Sequence, residues 1–312
     1  MNKFSLFSQN LHSNYRLSSS TLIDILNTYN KPIICLQDLG FPGPEIPNEL
    51  TKNLSPHKIL FNGKAERKCR NTAIIVHSDW EIMETRNHPS GGLLAARLRN
   101  GNFQLMVISA YLPPGLDRCG RIKIPEAKAN NQDVPRQFEA EEIYSTARTW
   151  ISEADLWVLT GDLNETIFKE DRKTRSTHGY KHIKDKFVSN FLDTSHGIDL
   201  WRHLHPLNHT KDHGHTRFSH DRRSSARLDY FLLSHQLISN ASAIEMEVSA
   251  RDRSLSDHCR ISCHVTYQLS NSTRTARLRT QISKTFPKTS ESSAETLSTE
   301  PRSLTTQKTC TT

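Results

Sequence analysis

Short apolar segments rich in β-branched residues recur along the first 268 residues, and polar or turn-forming residues close each of them. Segments of this length and composition are typical of buried β-strands. They predict strands at Pro32–Leu36, Thr72–His77, Leu93–Leu98, Phe103–Tyr111, Leu156–Thr160, Leu228–Leu233 and Ile261–Tyr267.

Helical periodicity of the apolar residues is clearest in two segments, Ser20–Tyr29 and Pro135–Glu153. In the second segment Phe138, Ile143 and Ala147 are spaced to line one stripe of a helix. Many strands with few helices between them indicate an α+β fold, in which two sheets pack on each other and helices cover the outside. Pure parallel βαβ winding fits this order of elements less well.

The composition changes after this region, from about residue 269 to Thr312, where Ser and Thr dominate and apolar residues no longer cluster. Such a segment buries too little apolar surface to offset the entropy lost on ordering. We therefore expect one domain over residues 1–268 and a disordered, basic, Ser/Thr-rich tail over residues 269–312.

The overall charge and hydropathy narrow the class of protein further. There are 41 Lys and Arg against 33 Asp and Glu, which gives a net charge of +8, and the mean hydropathy is −0.62. This balance fits a polyanionic partner. The sequence contains no membrane-spanning apolar run and no secretory signal, and its cysteines have no paired spacing. We expect an intracellular protein of the nucleus or cytoplasm.

The most informative segment is a buried strand that runs into Gly161 and then presents Asp162 and Asn164. Residues two apart in an extended chain point to the same side, so this carboxylate and carboxamide can face one ligand. In isolation the same residues would equally suit an ordinary turn after a strand. Other strand ends of the same kind therefore decide the interpretation.

Five further apolar strands end or begin at polar residues. Asp229 starts a strongly apolar strand, a poor place for a charge unless it is paired or functional. His258 stands among acidic residues, which raise a histidine pKa and suit it to act as an acid. If the strand ends converge, their oxygen-rich side chains suit Mg²⁺ or Mn²⁺ better than zinc. The residues concerned are Asn10, Asp38, Tyr111, Asp162, Asn164, Asp229, Asp257 and His258.

In their order along the chain, these strand ends resemble the motifs of the endonuclease/exonuclease/phosphatase superfamily, which has the deoxyribonuclease I-like fold. The resemblance covers nearly the whole domain and implies a four-layer α/β/β/α sandwich of two packed mixed β-sheets flanked by helices. The motifs are Ser8-Gln9-Asn10, Leu36-Gln37-Asp38, Ala110-Tyr111-Leu112-Pro113, Gly161-Asp162-Leu163-Asn164, Ala226-Arg227-Leu228-Asp229-Tyr230 and Ser256-Asp257-His258.

The resemblance also implies roles in phosphodiester hydrolysis. Asp38 would bind the divalent metal, with help from Asn10 and Asp257. Asp162 would activate or orient the attacking water, and Asn164 would fix its geometry. The family usually has Glu where this chain has Asp38, and the missing methylene removes about 1.5 Å of reach. The resemblance therefore predicts weakened catalysis.

The remaining roles that the resemblance implies concern the substrate phosphate. His258, paired with Asp229, would contact the phosphate and stabilise its developing charge. Tyr111 would donate a hydrogen bond to a phosphate oxygen. Thr216 would bind substrate or support the strand backbone at the site.

A narrower resemblance lies in Gly197-Ile198-Asp199-Leu200-Trp201-Arg202, in His215-Thr216-Arg217-Phe218-Ser219 and in the Arg227-Leu228-Asp229 segment that follows. Together they look like the endonuclease of non-LTR (LINE-type) retrotransposons, which nicks target DNA to prime reverse transcription. The resemblance implies a Mg²⁺-dependent nicking enzyme whose partner is the DNA phosphate backbone. It implies neither a membrane nor an obligate protein partner.

Two polar loops add candidate substrate-binding residues, Arg70 and Asn71 in one and Arg222 and Arg223 in the other. Loop Lys and Arg residues bind phosphate without regard to sequence, although plain solvation explains such a loop equally well. Two alternatives stay open. One keeps the fold with AP endonuclease, RNase (deadenylase) or phosphatase activity, and the other is a nucleic-acid-binding module with weakened or lost catalysis.

Overall fold

The computed structural model of the protein describes residues 2–13, 15–40, 45–63, 71–116, 133–174, 186–207, 213–221, 223–252 and 256–267. Arg70, Arg222 and the predicted tail at 269–312 lie outside these residues. Two six-stranded sheets and one small three-stranded sheet form the framework.

The first sheet, sheet A, contains one parallel pair of strands at its centre. β1 (Asn2–Asn10) runs parallel to β2 (Ile33–Gln37), and every other neighbouring pair is antiparallel. The complete strand order is β14 (Ala241–Val248), β15 (Ile261–Tyr267), β1, β2, β4 (Thr72–Val76) and β3 (Lys58–Asn62).

The second sheet, sheet B, repeats this pairing pattern with different strands. β7 (Phe103–Tyr111) runs parallel to β8 (Trp157–Asp162) at the centre, and the other pairs are antiparallel. The complete strand order is β10 (Gly197–Asp199), β13 (Asp229–Ser234), β8, β7, β6 (Leu93–Asn100) and β5 (Glu81–Asn87).

Apolar residues on both faces of each sheet produce four layers. The core between the sheets includes Phe4 and Ile33 of sheet A and Val107 and Phe231 of sheet B. The outer face of sheet A packs on α1 (Tyr15–Thr28) and α2 (Asn48–Asn53), and that of sheet B packs on α3 (Asp133–Ile151) and α4 (Phe187–Ser195). The predicted α/β/β/α sandwich is therefore confirmed.

The predicted elements are all present, with a correction to one helix face. Phe138 was predicted to share the apolar stripe of α3, but 61% of its surface is exposed, whereas Ile143 and Ala147 are buried. Phe138 lies near the beginning of α3, outside the cluster through which this helix packs on sheet B. Among the described residues, no helix combines the length and the apolar character needed to cross a membrane.

A small sheet completes the part of the fold that carries the site. Its order is β11 (Arg217–Phe218), β12 (Ser225–Ala226) and β9 (Arg172–Lys173), all antiparallel. Arg217 also forms an antiparallel bridge with His258, which ties this sheet to the segment that leads into β15. The remaining helices are α5 (Leu200–Leu204) and α6 (His235–Asn240).

Strand direction explains why polar strand ends gather at one edge. The carboxyl ends of β1 and β2 lie together because these strands are parallel, and the same holds for β7 and β8. The antiparallel neighbours β15 and β13 begin where those strands end. One edge of the sandwich therefore carries Asn10, Asp38, Tyr111, Asp162, Asp229 and His258.

Candidate active site

A cavity of about 450 Å³ opens at this edge of the two sheets. It is lined by the predicted site residues Asn10, Asp38, Tyr111, Asp162, Asn164, Asp257 and His258. Asp229 lies directly behind His258 and is 1% exposed. The structure therefore brings residues that are up to 248 positions apart into one site.

Asp162 is positioned by a close approach of β8 to β7. Gly161 has a φ of +140°, and a Cβ there would lie 2.0 Å from the Ala110 carbonyl oxygen, so only glycine fits. The Asp162 carboxylate, 2% exposed, accepts hydrogen bonds from Asn10 Nδ2 at 2.9 Å and from the Asn164 backbone N–H at 3.0 Å. These donors fix the carboxylate at the floor of the cavity.

Asn164 forms the other side of this carboxylate cradle. Its φ is +51°, in the left-handed region that Asn tolerates better than most residues. Its Nδ2 donates to the Leu112 carbonyl oxygen at 3.0 Å and to Asp162 Oδ2 at 3.2 Å. Asp162 and Asn164, predicted to face one ligand, therefore lie side by side at the cavity.

Asp229 and His258 form a buried pair next to Asp162. The ring Nδ1 of His258 lies 2.8 Å from Asp229 Oδ2, and Nε2 lies 3.8 Å from Asp162 Oδ2. Nδ1 carries a proton because it faces the Asp229 carboxylate. Nε2, on the other side of the ring, faces Asp162 and the cavity. We call Asp162, Asp229 and His258 the triad.

Burial and mutual charge shift the pKa values within the triad. Burial raises the pKa of Asp162 to about 7, and the Asp229 carboxylate adds to this shift while His258 opposes it. Burial alone would lower the pKa of His258, but the carboxylates of Asp229 and Asp162 raise it to about 9. At neutral pH His258 is therefore an imidazolium, able to donate from both ring nitrogens.

Asp38 follows β2 with a φ of +50°, and its half-buried side chain reaches the cavity. Ser13 Oγ donates to Asp38 Oδ1 at 3.1 Å. Beneath it, Asn71 accepts from the Leu39 N–H through Oδ1 at 2.6 Å and from the Asp38 N–H through its carbonyl at 3.1 Å. Asn71, predicted to bind substrate, is 6% exposed and holds the loop that carries Asp38.

Asp257 has charged neighbours on two sides. Arg217 Nε donates to Asp257 Oδ2 at 3.0 Å, and Asp257 Oδ1 lies 3.7 Å from His12 Nδ1 and 3.9 Å from His258 Nε2. Burial works against the carboxylate, but His258 and Arg217 hold the pKa of Asp257 below its usual range. Asp257 is therefore ionised at neutral pH.

The donor atoms of the cavity fit a hard divalent cation. Within the described part of the chain, Asp257 Oδ1 at the cavity and Asp229 Oδ1 behind His258 are buried oxygens that accept no hydrogen bond. One ligand atom from each member of the triad lies within 4.8 Å of the others. His258 Nδ1 is held by Asp229 and Mg²⁺ prefers oxygen, so the carboxylate and carboxamide oxygens are the ligands that Mg²⁺ would take.

Thr216 supports the backbone behind the triad. Its Oγ1 accepts from the backbone N–H groups of Leu228 at 3.0 Å and Asp229 at 3.1 Å, and the residue is fully buried. This is the supporting role, one of the two predicted for Thr216. The substrate-binding role has no geometric support, because the residue does not line the cavity.

A second set of buried charges lies two residues before Asp229, around Arg227. Arg227 donates to Asp199 through both terminal nitrogens, at 2.9 and 2.8 Å, and to Asp171 through Nε and Nη2, at 3.2 and 2.9 Å. Arg202 also donates to Asp171. We call Arg227, Arg202, Asp171 and Asp199 the Arg227 cluster; it includes Asp199 and Arg202 of the retrotransposon-like motif.

Four basic side chains that were not among the predicted site residues also line the cavity: His12, Arg136, Arg172 and Arg217. Arg217 follows Thr216 in the segment His215–Ser219. Side chains alternate along a strand, so with Thr216 on one face the sequence could have predicted Arg217 on the other. Of the predicted loop residues, Arg223 is exposed, and its Nε lies 3.8 Å from Asp221. Arg223 does not line the cavity.

Solved structures with the same fold come from several sources. An AP endonuclease from Leishmania major matches with a TM-score of 0.63 at 13% identity, covering 85% of this chain and 88% of that chain. A 3′ phosphatase from Neisseria bound to a product DNA hairpin matches with 0.61 at 15%, covering 85% and 99%. An AP endonuclease from Archaeoglobus fulgidus matches with 0.60 at 17%, covering 86% and 100%.

Comparison by sequence gives no match for this chain, whereas comparison by structure does. No protein-family model and no curated protein sequence matches the chain. The structural matches extend over nearly the whole of the known chains. Two mixed β-sheets flanked by helices, in the arrangement of these nucleases, give this chain the deoxyribonuclease I-like fold.

Proposed function

We propose that the protein is a divalent-metal-dependent phosphodiesterase that nicks DNA, of the type found in non-LTR retrotransposons. The observation that carries this proposal is the triad: a buried imidazolium lies 2.8 Å from Asp229 and 3.8 Å from a second buried carboxylate, Asp162, and His258 and Asp162 line an open cavity. Hydrolysis of a phosphodiester needs an activated water and a cation beside the phosphate. The triad supplies a group for each task.

The chemistry of the triad follows from its charges. Asp162, with its pKa raised to about 7, can take a proton from an attacking water near neutral pH. His258 donates from Nε2 to a phosphate oxygen and stabilises the charge that develops there, while Asp229 keeps the ring oriented. Tyr111, which lines the cavity, would donate to the same phosphate.

The proposed ligands of the divalent cation are Asn10, Asp38 and Asp257, whose side chains line the cavity beside the triad. When bound, Mg²⁺ or Mn²⁺ would neutralise phosphate charge. Asn10 Nδ2 meanwhile holds Asp162 through a hydrogen bond of 2.9 Å, so one side chain links the carboxylate to the predicted metal ligands.

Different observations support the two parts of the proposal, DNA as the substrate and the retrotransposon type of the enzyme. The matched Neisseria structure contains a product DNA hairpin, which supports a nucleic-acid substrate for a chain of this fold. The sequence resemblance of the Gly197–Arg202 motif supports the retrotransposon type, and Asp199 and Arg202 of that motif belong to the Arg227 cluster. The net charge of +8 favours a polyanion.

Repair of damaged DNA is the second candidate function. The matched structures include AP endonucleases and a 3′ phosphatase, so cleavage at abasic sites or removal of a 3′ phosphate is a specific alternative on the same fold. The alternatives differ in substrate and share the triad.

One experiment separates these functions. The purified full chain is incubated with supercoiled plasmid, an abasic duplex and a 3′-phosphorylated hairpin, each with Mg²⁺ or EDTA, beside the Asp162→Asn variant. We expect Mg²⁺-dependent nicking of undamaged plasmid, absent in EDTA and in the variant. Turnover of the abasic or 3′-phosphate substrate alone would establish the second function. Equal nicking by Asp162→Asn would end the assignment of the triad.

A further inference from the structure

Arg217 and Arg172 occupy one row of the small sheet. The register pairs Arg217 with Ala226 and Ala226 with Arg172, and Arg217 also forms the antiparallel bridge with His258. Residues directly opposite each other in an antiparallel sheet project to the same face. The row His258–Arg217–Ala226–Arg172 therefore presents two arginines and the ring of His258 to one side, and all three line the cavity.

The spacing along this row follows from the distance between neighbouring strands. Three steps of about 4.8 Å put Arg172 roughly 14 Å from His258, with Arg217 about 5 Å from it. A nucleic-acid strand advances only about 3.4 Å along its axis for each phosphate. The row is thus long enough to extend past the phosphate bound at His258 to its neighbours on the same strand.

Arg217 is the member of the row whose charge is accessible to solvent. Arg217 is 49% exposed in its side chain, and its Nε is anchored on Asp257 Oδ2 at 3.0 Å. That anchor uses one of the five donors of the guanidinium, and its terminal amino groups can still donate to an anion. Ala226, between the two arginines, is buried, and Arg172 on its far side is half-buried and lines the cavity.

We propose that His258, Arg217 and Arg172 form a phosphate track, which binds the sugar–phosphate backbone on one side of the cleaved bond. The track rests on the proposed function, and it specifies the substrate class further. A mononucleotide or an isolated phosphate monoester reaches only the triad end of the row. A polynucleotide strand contacts the whole row, so the site selects a phosphodiester inside a chain.

Binding of DNA without cleavage tests the track. Affinity for a short fluorescein-labelled duplex is measured by anisotropy in EDTA, between about 50 and 200 mM salt. Arg172→Gln and Arg217→Gln should each weaken binding and reduce the slope of log affinity against log salt by about 1, and the double variant by about 2. Arg172→Lys keeps the charge and should retain the slope.

Arg99→Gln is the matched control for loss of one positive charge. Arg99 lies at the opposite end of sheet B from the cavity and is paired with Glu81. The slope of log affinity against log salt for Arg99→Gln should therefore equal that of the unaltered protein. A slope unchanged in the Arg172→Gln and Arg217→Gln variants would overturn the track, even if the protein nicks DNA. An Arg-dependent slope in a protein that cleaves nothing would keep the track and reject the proposed function.

Discussion

Two sets of buried charged residues in this protein differ in how their charges are balanced. Arg227 of one set and Asp229 of the other are separated along the chain by Leu228 alone. In the Arg227 cluster two arginines face two carboxylates, and Arg227 forms hydrogen bonds of 2.8–3.2 Å to both Asp171 and Asp199. In the triad two carboxylates share one imidazole, and Asp229 Oδ1 accepts no hydrogen bond from the described residues. The first set is balanced within the protein, and the second carries excess negative charge.

The pKa values express the same difference. Burial opposes the Asp171 carboxylate, but Arg227 and Arg202 lower its pKa below the usual range. Burial instead raises the pKa of Asp162 to about 7, since one imidazolium serves two carboxylates. Removing one member of a balanced set of buried charges destabilises the fold. An unbalanced set is instead stabilised when a further cation or a proton binds. The two sets can therefore be distinguished by which property each substitution changes.

Asp162→Asn gives the largest expected effect, and it falls on activity. Loss of the group that takes the proton from water should reduce the nicking rate by about 10²–10⁴-fold. The raised pKa of Asp162 contributes stability at low pH that is lost as the pH rises through about 7. At pH 8 the neutral Asn should therefore leave the melting temperature unchanged or higher.

Plasmid nicking and thermal melting at pH 8 measure both outcomes on the same preparation. A lower melting temperature together with a normal nicking rate would reverse the comparison, because Asp162 would then be a structural charge. Asp193→Asn, a substitution on the solvent-facing part of α4, serves as a control that should change neither property.

Arg227→Met should change stability first. Removing Arg227 leaves Asp199 without its arginine and Asp171 with Arg202 alone, at a cost of about 3–5 kcal/mol in the free energy of unfolding. Urea denaturation followed by circular dichroism measures this loss. Arg99→Gln, which breaks an exposed pair, should cost no more than about 1 kcal/mol. Equal losses in the two variants would show that the Arg227 cluster adds nothing beyond a surface pair.

The pH dependence of nicking sharpens the account of the triad. The rate should rise through about pH 7 as Asp162 loses its proton, and fall above about pH 9 as His258 loses its own. Asp229→Asn removes the carboxylate that raises the pKa of His258, so the falling limb should move to lower pH. Initial rates from pH 5.5 to 10 measure both limbs. A falling limb that stays in place would exclude His258 as the titrating group.

The fold was readable from the sequence wherever strands are buried on both faces. β2 and β4 are continuous apolar runs with every residue buried, so their composition identifies them. β5 alternates between exposed and half-buried positions, and β9, β11 and β12 have two residues each. An exposed edge strand lacks apolar content and a two-residue strand has no periodicity, so neither is visible without the structure.

The site divides in the same way. Asn10, Asp38, Asp162 and His258 could be found because each follows or precedes a buried strand at a position where a polar residue is unexpected. Arg172 and Arg217 could not, since basic residues in polar loops are ordinary. Only the register of the small sheet, Arg217 against Ala226 and Ala226 against Arg172, places them in one row.

Asp38→Glu is the smallest expected change, and it examines the exposed side of the cavity. The added methylene restores about 1.5 Å of reach. Asp38 is half-buried, so the longer carboxylate can extend into the cavity without displacing core residues. Its φ of +50° is less favourable for Glu than for Asp, which limits the gain. We expect nicking at the same rate or faster, with half-maximal activity at a lower Mg²⁺ concentration.

A Mg²⁺ titration of the nicking rate measures this, with Asp38→Asn as the control of nearly equal size that should need more Mg²⁺. Complete loss of activity in Asp38→Glu would mean that the shorter carboxylate is required, and Asp at this position would then be an adaptation of this site rather than a weakening of it.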